Sequence, residues 1–155
     1  MVNFFKALWA IIEEWFNPPV YTPPKLHVEP IVVPEPVVVP KYLWGTPKEA
    51  RHSTRVICDE SGLSLEDKNI ICAVIMAESE FKIKAVGRPN RNGSRDWGIV
   101  QMNDALWIGE GKYFKSTDEV LNNPEKSVRF IIDCYKKGKI IWWMGYTSGN
   151  YKKFL

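Results

Sequence analysis

Glu78-Ser79-Glu80-Phe81, followed by Asn92-Gly93-Ser94-Arg95-Asp96-Trp97-Gly98-Ile99-Val100-Gln101-Met102-Asn103, is the stretch on which the reading of this chain turns. Upstream, Ser64-Leu65-Glu66-Asp67 is an N-terminal capping pattern, and apolar periodicity continues from it to Phe81, which predicts a helix from about Leu65. On that helix Ile71, Val74 and Ile75 form an apolar stripe, and the 3.6-residue repeat puts Glu78 within it while Glu80 points away. A carboxyl on an apolar face loses hydration, which disfavours its charged form and raises its pKa. A general acid that keeps its proton near neutral pH has that requirement. The plain alternative is a buried Glu held by a hydrogen-bond partner. Downstream, Gly87 to Gly98 is rich in Gly, Asn, Pro and Arg and is expected to form loops or a small hairpin.

Working outward, residues 48–155 read as mainly helical. Ala50 to Cys58 suggests a short first helix. Asn122-Asn123-Pro124-Glu125 starts a later one, with Pro124 near its first position, Val128, Ile131, Ile132 and Tyr135 on its apolar face and Gly138 as its stop. Before this domain lies a proline-rich linker, 18–47, holding nine of the eleven prolines. Such a segment favours extended, polyproline-like structure and is read as a stiff tether. The first 17 residues carry helical periodicity, with Phe4, Leu8, Ile11, Ile12 and Trp15 on one face and Lys6, Glu13 and Glu14 opposite. A helix this short cannot bury so many aromatics alone. Docking on a partner and folding back onto the domain both stand open, while the acidic polar face argues against anionic lipid.

The 155 residues, 45% hydrophobic and 25% charged, are ordinary for a soluble globular protein. A net charge of +3 lacks the clustered basic footprint of a nucleic-acid binder, so no nucleic-acid partner is expected. The apolar run near the N-terminus is too short to span a bilayer, and Glu13 and Glu14 follow it with no small-x-small cleavage site. It is read as a retained element. Cys72 lies in an apolar run as an inert thiol, and a Cys58–Cys134 bridge stays open. No cysteine stands in a metal-ligand spacing and His27 and His52 are isolated, so neither metal nor cofactor is expected.

The Glu-Ser…Phe turn, the later Ala85 and the Gly-Ser-x-Asp-aromatic-Gly-Ile-x-Gln-x-Asn segment resemble the lysozyme-like superfamily. They are similar to c-type lysozymes and to the specialised lytic transglycosylases of phage particles and secretion systems, and the resemblance covers about residue 48 to the end. It implies an α+β, lysozyme-like fold, mainly helical with a small β-hairpin. It also implies Glu78 as the catalytic acid that protonates the glycosidic oxygen, with Asp96 as the second carboxylate. Asp96 then stabilises or attacks the positively charged sugar carbon; a turn-forming Asp in a Gly/Asn-rich loop is the bland reading. The chemistry is that of the two-carboxylate glycosidases, for which lysozyme is the standard worked example.

The same resemblance makes Ser94, Trp97, Gly98, Gln101 and Asn103 residues that line or brace a sugar site. Tyr146-Thr147-Ser148-Gly149 resembles the Tyr-Asn-x-Gly motif of lytic transglycosylases, with Thr147 in place of the usual Asn, and implies that Tyr146 lies near Glu78. Trp97, Trp107, Trp142 and Trp143 suit stacking on sugar rings or a core, and one or two are expected at glycan. Lys82, Lys84, Arg88, Arg91 and Arg95 flank the site, either attracting anionic wall or forming a solvated face. The expected substrate is peptidoglycan, cut at the β-1,4 bond between N-acetylmuramic acid and N-acetylglucosamine. Anhydro-ring formation is slightly favoured over hydrolysis. The N-terminal helix is expected to dock on a larger assembly, a virion acting in the host envelope, with the bacterial cell envelope as the alternative. A structural or glycan-binding component without turnover is the rival from another class.

Overall fold

The computed structural model of the chain describes residues 40–155. The amphipathic segment 1–17 and most of the proline-rich segment lie outside the described residues. The described part is mainly helical with one two-stranded antiparallel sheet, the α+β class expected.

Helix α1 spans Pro47–Glu60, α2 Leu65–Ser79, α3 Asp104–Trp107, α4 Thr117–Asn122, α5 Pro124–Lys136 and α6 Met144–Thr147; short 3-10 turns cover Ile140–Trp142 and Asn150–Phe154. α1 begins three residues before Ala50 because Thr46 caps it, its hydroxyl accepting the Glu49 N–H at 3.2 Å. Pro47 then fits the first turn, where its missing N–H removes no helix bond. α2 starts as the sequence reads, with Ser64 accepting the Asp67 N–H at 3.1 Å. α5 is capped by Asn123, which accepts the Lys126 N–H at 3.1 Å, and the chain turns at Gly138 in the left-handed region.

α2 is the core of the domain. Ile71 to Ile75 are buried without interruption, and α1, α5, α6 and the last 3-10 turn all pack on it. The one-sided apolar stripe expected for this helix is therefore a helix apolar on every side, as a central helix must be. It ends in two non-glycine residues in the left-handed region, Glu80 (φ 55°) and Phe81 (φ 61°). Phe81 is only 2% exposed, and burying its ring offsets the unfavourable backbone.

The packed unit starts earlier than residue 48. Tyr42 and Trp44 pack against the core, and the Ser53 hydroxyl accepts the Leu43 N–H (2.8 Å) while donating to the Leu43 carbonyl (2.7 Å). Glu60 gathers the Lys41 ammonium (2.7 Å), the Tyr42 hydroxyl (2.6 Å) and the Arg129 guanidinium (3.1 Å). These donors hold its carboxyl down at about 2, those of Lys41 and Tyr42 foremost. Lys41 to Thr46 contains no proline, so the end of the expected linker behaves as part of the domain. Cys58, Cys72 and Cys134 are all buried free thiols, which corrects the open Cys58–Cys134 bridge; burial pushes the Cys58 thiol up to about 12.

Candidate active site

Glu78 occupies the last turn of α2, half-buried. The neighbouring Ser79 hydroxyl is buried and donates to the Ile99 carbonyl at 2.5 Å, tying the end of the helix to the chain that leaves the hairpin's first strand. Glu78 Oε1 accepts the Gly145 N–H at 2.6 Å. Burial pushes the Glu78 carboxyl above its usual range; the Gly145 N–H pulls it down, and the charge of Asp96 raises it further. Gly145 is a close-approach glycine: a Cβ there would lie 2.9 Å from Glu78 Oε1 and 3.1 Å from Ala77 Cβ.

The hairpin is built from β1, Asp96–Trp97, and β2, Met102–Asn103, with Asp96 paired to Asn103 and Trp97 to Met102. Successive strand residues face opposite sides. Asp96 and Asn103 therefore share one face, and Trp97 shares the other with the buried Met102. Asn103 Nδ2 donates to Asp96 Oδ1 at 2.8 Å, and Asn90 Nδ2 donates to Oδ2 at 3.3 Å. Ser94 ties this group together, accepting from Asn90 (3.1 Å) and Asn103 (3.1 Å) and donating to Asn92 Oδ1 (2.7 Å).

Glu78 lies where two cavities meet. One, of about 980 Å³, runs past Ala85, Val86, Gly87, Asn150 and Phe154; the other, of about 230 Å³, runs past Asp96, Asn103, Trp107 and Trp142. Both are walled by Glu78 and Gln101. A third hollow of about 370 Å³ continues the second through Asn90, Asn103 and Leu106. The three form a groove with Glu78 at an interior point.

The expected site residues divide accordingly. Glu78, Asp96, Gln101 and Asn103 line the groove. Gln101, itself in the left-handed region (φ 52°), is braced by its Nε2 donating to the Gly98 carbonyl at 2.9 Å. Ser94 braces the Asp96 cluster from a buried position and touches the third hollow. Gly98 is buried and shapes the turn: its φ is +74°, and a Cβ would meet Val120 Cγ1 at 2.8 Å.

Trp97 and Tyr146 are not among the residues that line the two cavities at Glu78. Trp97 turns to the core side, its indole N–H donating to Asp104 Oδ2 at 3.2 Å, because the pleat sends it opposite to Asp96. Tyr146 stacks on Tyr151 (centroids 4.9 Å apart), and the backbone N–H of its neighbour Gly145 reaches Glu78. Trp107, Trp142 and Trp143 all line the groove; Trp107 and Trp142 have centroids 5.2 Å apart, and Trp143, largely buried, donates to the Val100 carbonyl at 2.6 Å. Of the flanking cations, Lys82 is paired with Glu80 at 2.7 Å and Arg95 donates to the Gly87 carbonyl at 3.3 Å. Sequence reading missed Gly145 and Asn90. Asn90 sits in the Gly/Asn-rich loop already marked as irregular, and Gly145, 67 residues beyond Glu78, directly precedes the Tyr146–Gly149 motif, which pointed to this segment but not to its backbone N–H. Among the described residues no group of three or more His, Cys, Asp or Glu could hold a metal, and no helix is long and apolar enough to cross a membrane.

Residues 61–135 match the family described as the Transglycosylase SLT domain, a little under half of the chain. That span includes Glu78, Asp96, Gln101 and Asn103 and stops short of Gly145 and Tyr146. A lysozyme of Galleria mellonella is 33% identical over 77 residues, which are 46% of this chain and 64% of that protein. A lysozyme of Hyalophora cecropia is 42% identical over 43 residues, 28% of this chain and 30% of that protein. The chain thus spans less than two thirds of the length of these curated relatives. The crystal structure of a lysozyme from Litopenaeus vannamei overlaps 66% of this chain and 84% of its own, with 20% identity and a TM-score of 0.49. The family match and the lysozyme relatives together support the lysozyme-like superfamily for this chain.

Proposed function

We propose that the groove binds a peptidoglycan glycan strand and that Glu78 cleaves the β-1,4 bond between N-acetylmuramic acid and N-acetylglucosamine. The observation that carries this reading is a half-buried carboxyl, its pKa raised by burial, where two cavities of an open groove meet. The Glu78 proton passes to the glycosidic oxygen as the bond to the muramic C1 breaks, and positive charge develops on that sugar. Asp96, its two oxygens held by Asn103 and Asn90, lines the same cavity as a fixed negative charge for it. The Glu78 carboxylate then takes the proton of the muramic 6-hydroxyl as that oxygen closes on C1, giving a 1,6-anhydro ring. The match to the SLT domain supports this lytic transglycosylase outcome.

A second reading, hydrolysis, is favoured by one observation: Asp96 stands at the Glu78 cavity, braced on both oxygens, as a lysozyme-type second carboxylate would. There, water rather than the 6-hydroxyl gives up its proton and attacks C1. Mass spectrometry of digested peptidoglycan tests both. Anhydro-muramic ends are expected, free reducing ends indicate hydrolysis, and no soluble product would overturn strand cleavage and leave a glycan-binding component.

We further place the enzyme on a larger assembly, a virion that carries it to the host envelope, with attachment through residues 1–17 and reach supplied by the proline-rich segment. The support is the amphipathic pattern and the proline content of those residues. Full-length protein is expected to co-purify with the particle and a fragment starting at Pro40 is not; equal recovery of both would end this proposal.

A further inference from the structure

Met144 is the most exposed large apolar side chain among the described residues, at 72%. It opens α6 and lines the 230 Å³ cavity at Glu78 together with Leu106 and Trp142, which are also exposed. These three give an apolar side to a cavity whose other lining, Asn90, Asp96, Gln101 and Asn103, is amide and carboxylate. The other described methionines are placed differently: Met102 is buried in the hairpin and Met76 is half-buried on α2. A thioether is soft and polarisable, and its oxidation follows its exposure. In Met144 that exposure coincides with closeness to the acid, because the next residue, Gly145, gives its N–H to Glu78. The turn that carries it is fixed. The Met144 carbonyl accepts the Ser148 N–H at 2.9 Å and the Ser148 hydroxyl at 2.6 Å, so a change at the sulfur acts on the cavity rather than on the backbone.

We propose that Met144 is an oxidation site through which peroxides weaken the hold of the groove on its substrate. The proposal rests on the glycan-cleaving reading above and adds a chemical control to the same groove. A lone pair of the sulfur attacks one oxygen of hydrogen peroxide, the O–O bond breaks, and the second oxygen leaves as water. The thioether is oxidised to a sulfoxide and the peroxide is reduced. The product carries an acceptor oxygen where the wall was apolar, and the Thr147 hydroxyl, 3.9 Å from the sulfur, is placed to donate to it. A sugar pressed against that wall strips water from the sulfoxide, a cost that the thioether does not incur. The loss falls on binding. The Gly145 N–H belongs to the backbone one residue on and keeps its 2.6 Å bond to Glu78, so KM moves and kcat does not.

The test treats the full-length protein with hydrogen peroxide. Peptide mass spectrometry is expected to show one added oxygen on the peptide holding Met144 before any on those holding Met76 or Met102. In step with it, KM on peptidoglycan should rise roughly three- to ten-fold, with kcat within about two-fold of its starting value. A methionine sulfoxide reductase, with a dithiol that is oxidised to its disulfide, should remove the oxygen and restore KM together. Met144→Leu, rated against its own untreated form, is expected to keep its KM through the treatment. Oxygen appearing first on Met76 overturns the proposal, as does an oxidised Met144 with KM unmoved or a Met144→Leu protein that loses affinity as the wild type does. An untreated wild type that cleaves no peptidoglycan breaks the glycan-cleaving reading instead. Calorimetry with tri-N-acetylchitotriose then decides the site: an affinity that falls by the same factor on oxidation supports it, and equal affinity, or none in either form, overturns it.

Discussion

The end of α2 and the β1–β2 hairpin each present one carboxyl to the same groove, yet the two are built from opposite materials. Around Glu78 the chain is apolar: five consecutive buried residues precede it at one turn's remove, and the carboxyl accepts from a single backbone N–H. Around Asp96 it is amide and hydroxyl, with Asn90, Asn92, Ser94 and Asn103 linked to one another and to both carboxylate oxygens. Desolvation raises the pKa of the first carboxyl, while the second is fixed in place by amide N–H donors on both oxygens. The contrast agrees with the proposed division of roles, proton donor on the helix and second carboxylate on the hairpin.

The contrast is easiest to break at Glu78. Glu78→Gln keeps the acceptor for the Gly145 N–H but has no proton to give, so the rate on peptidoglycan is expected to fall by roughly 10²-fold or more with the thermal midpoint near that of the wild type. Near-normal turnover would remove the acid from α2. Asp96→Asn is expected to cost less, roughly ten- to a hundred-fold, because it removes one electrostatic contribution and not the proton donor. It also has a second readout. In the proposed mechanism Glu78 works protonated, so activity is expected below its folded pKa and is lost as pH rises through it. The Asp96 charge is one of the causes that raise that pKa. Removing the charge should move the alkaline limb of the rate profile to lower pH, and an unmoved limb would show that the two carboxyls do not sense each other.

Gly145 tests the helix side more gently. A methyl at this position meets the far end of the Glu78 side chain, which can swing away, and Ala77 Cβ at 3.1 Å, which must give by a few tenths of an ångström, so Gly145→Ala should fold with some loss of stability while giving up the 2.6 Å hydrogen bond. Displacing a reacting group by about 1 Å slows a reaction far more than the energy of one hydrogen bond would suggest. A drop of roughly ten-fold in kcat with little change in KM is expected. A pure KM effect would mean that Gly145 serves the substrate and not the acid.

Much of this difference is legible in the sequence. Ser64, Asn123 and Pro124 mark helix starts through local hydrogen-bonding chemistry, and the structure places them there. Helical periodicity finds Glu78, although the stripe that points to it is one side of a helix buried all round. The partners of the acid are not legible: Gly145 reaches Glu78 across 67 residues, and a backbone N–H carries no sequence signature. Nor is the start of the packed unit, where Tyr42 and Trp44 carry no helical or strand period and the surrounding prolines dominate the composition. The orientation of Trp97 is hidden for a different reason. The motif names it beside Asp96, but adjacency in a strand means opposite faces.

Trp97 therefore gives the smallest and sharpest test of the hairpin. Its indole N–H donates to Asp104 Oδ2, whose other oxygen accepts the Arg95 N–H at 3.1 Å, so the ring holds β1 to the start of α3 from the core side. Trp97→Phe removes one hydrogen bond and part of a packed ring while Asp104 keeps its second donor. A loss of about 1–2 kcal/mol in stability is expected, the usual cost of such a bond and a small packing defect. Activity on peptidoglycan at a temperature where both proteins are folded should stay within about two-fold, since the wall of the groove is untouched. Asn103, its neighbour by one register step on β2, donates to Asp96 inside the groove, so Asn103→Ala should show the reverse pattern of lost rate with a modest change in stability. If Trp97→Phe instead slows cleavage as much as Asp96→Asn does, with stability intact, then Trp97 contacts sugar and the two faces of the hairpin have been assigned the wrong way round.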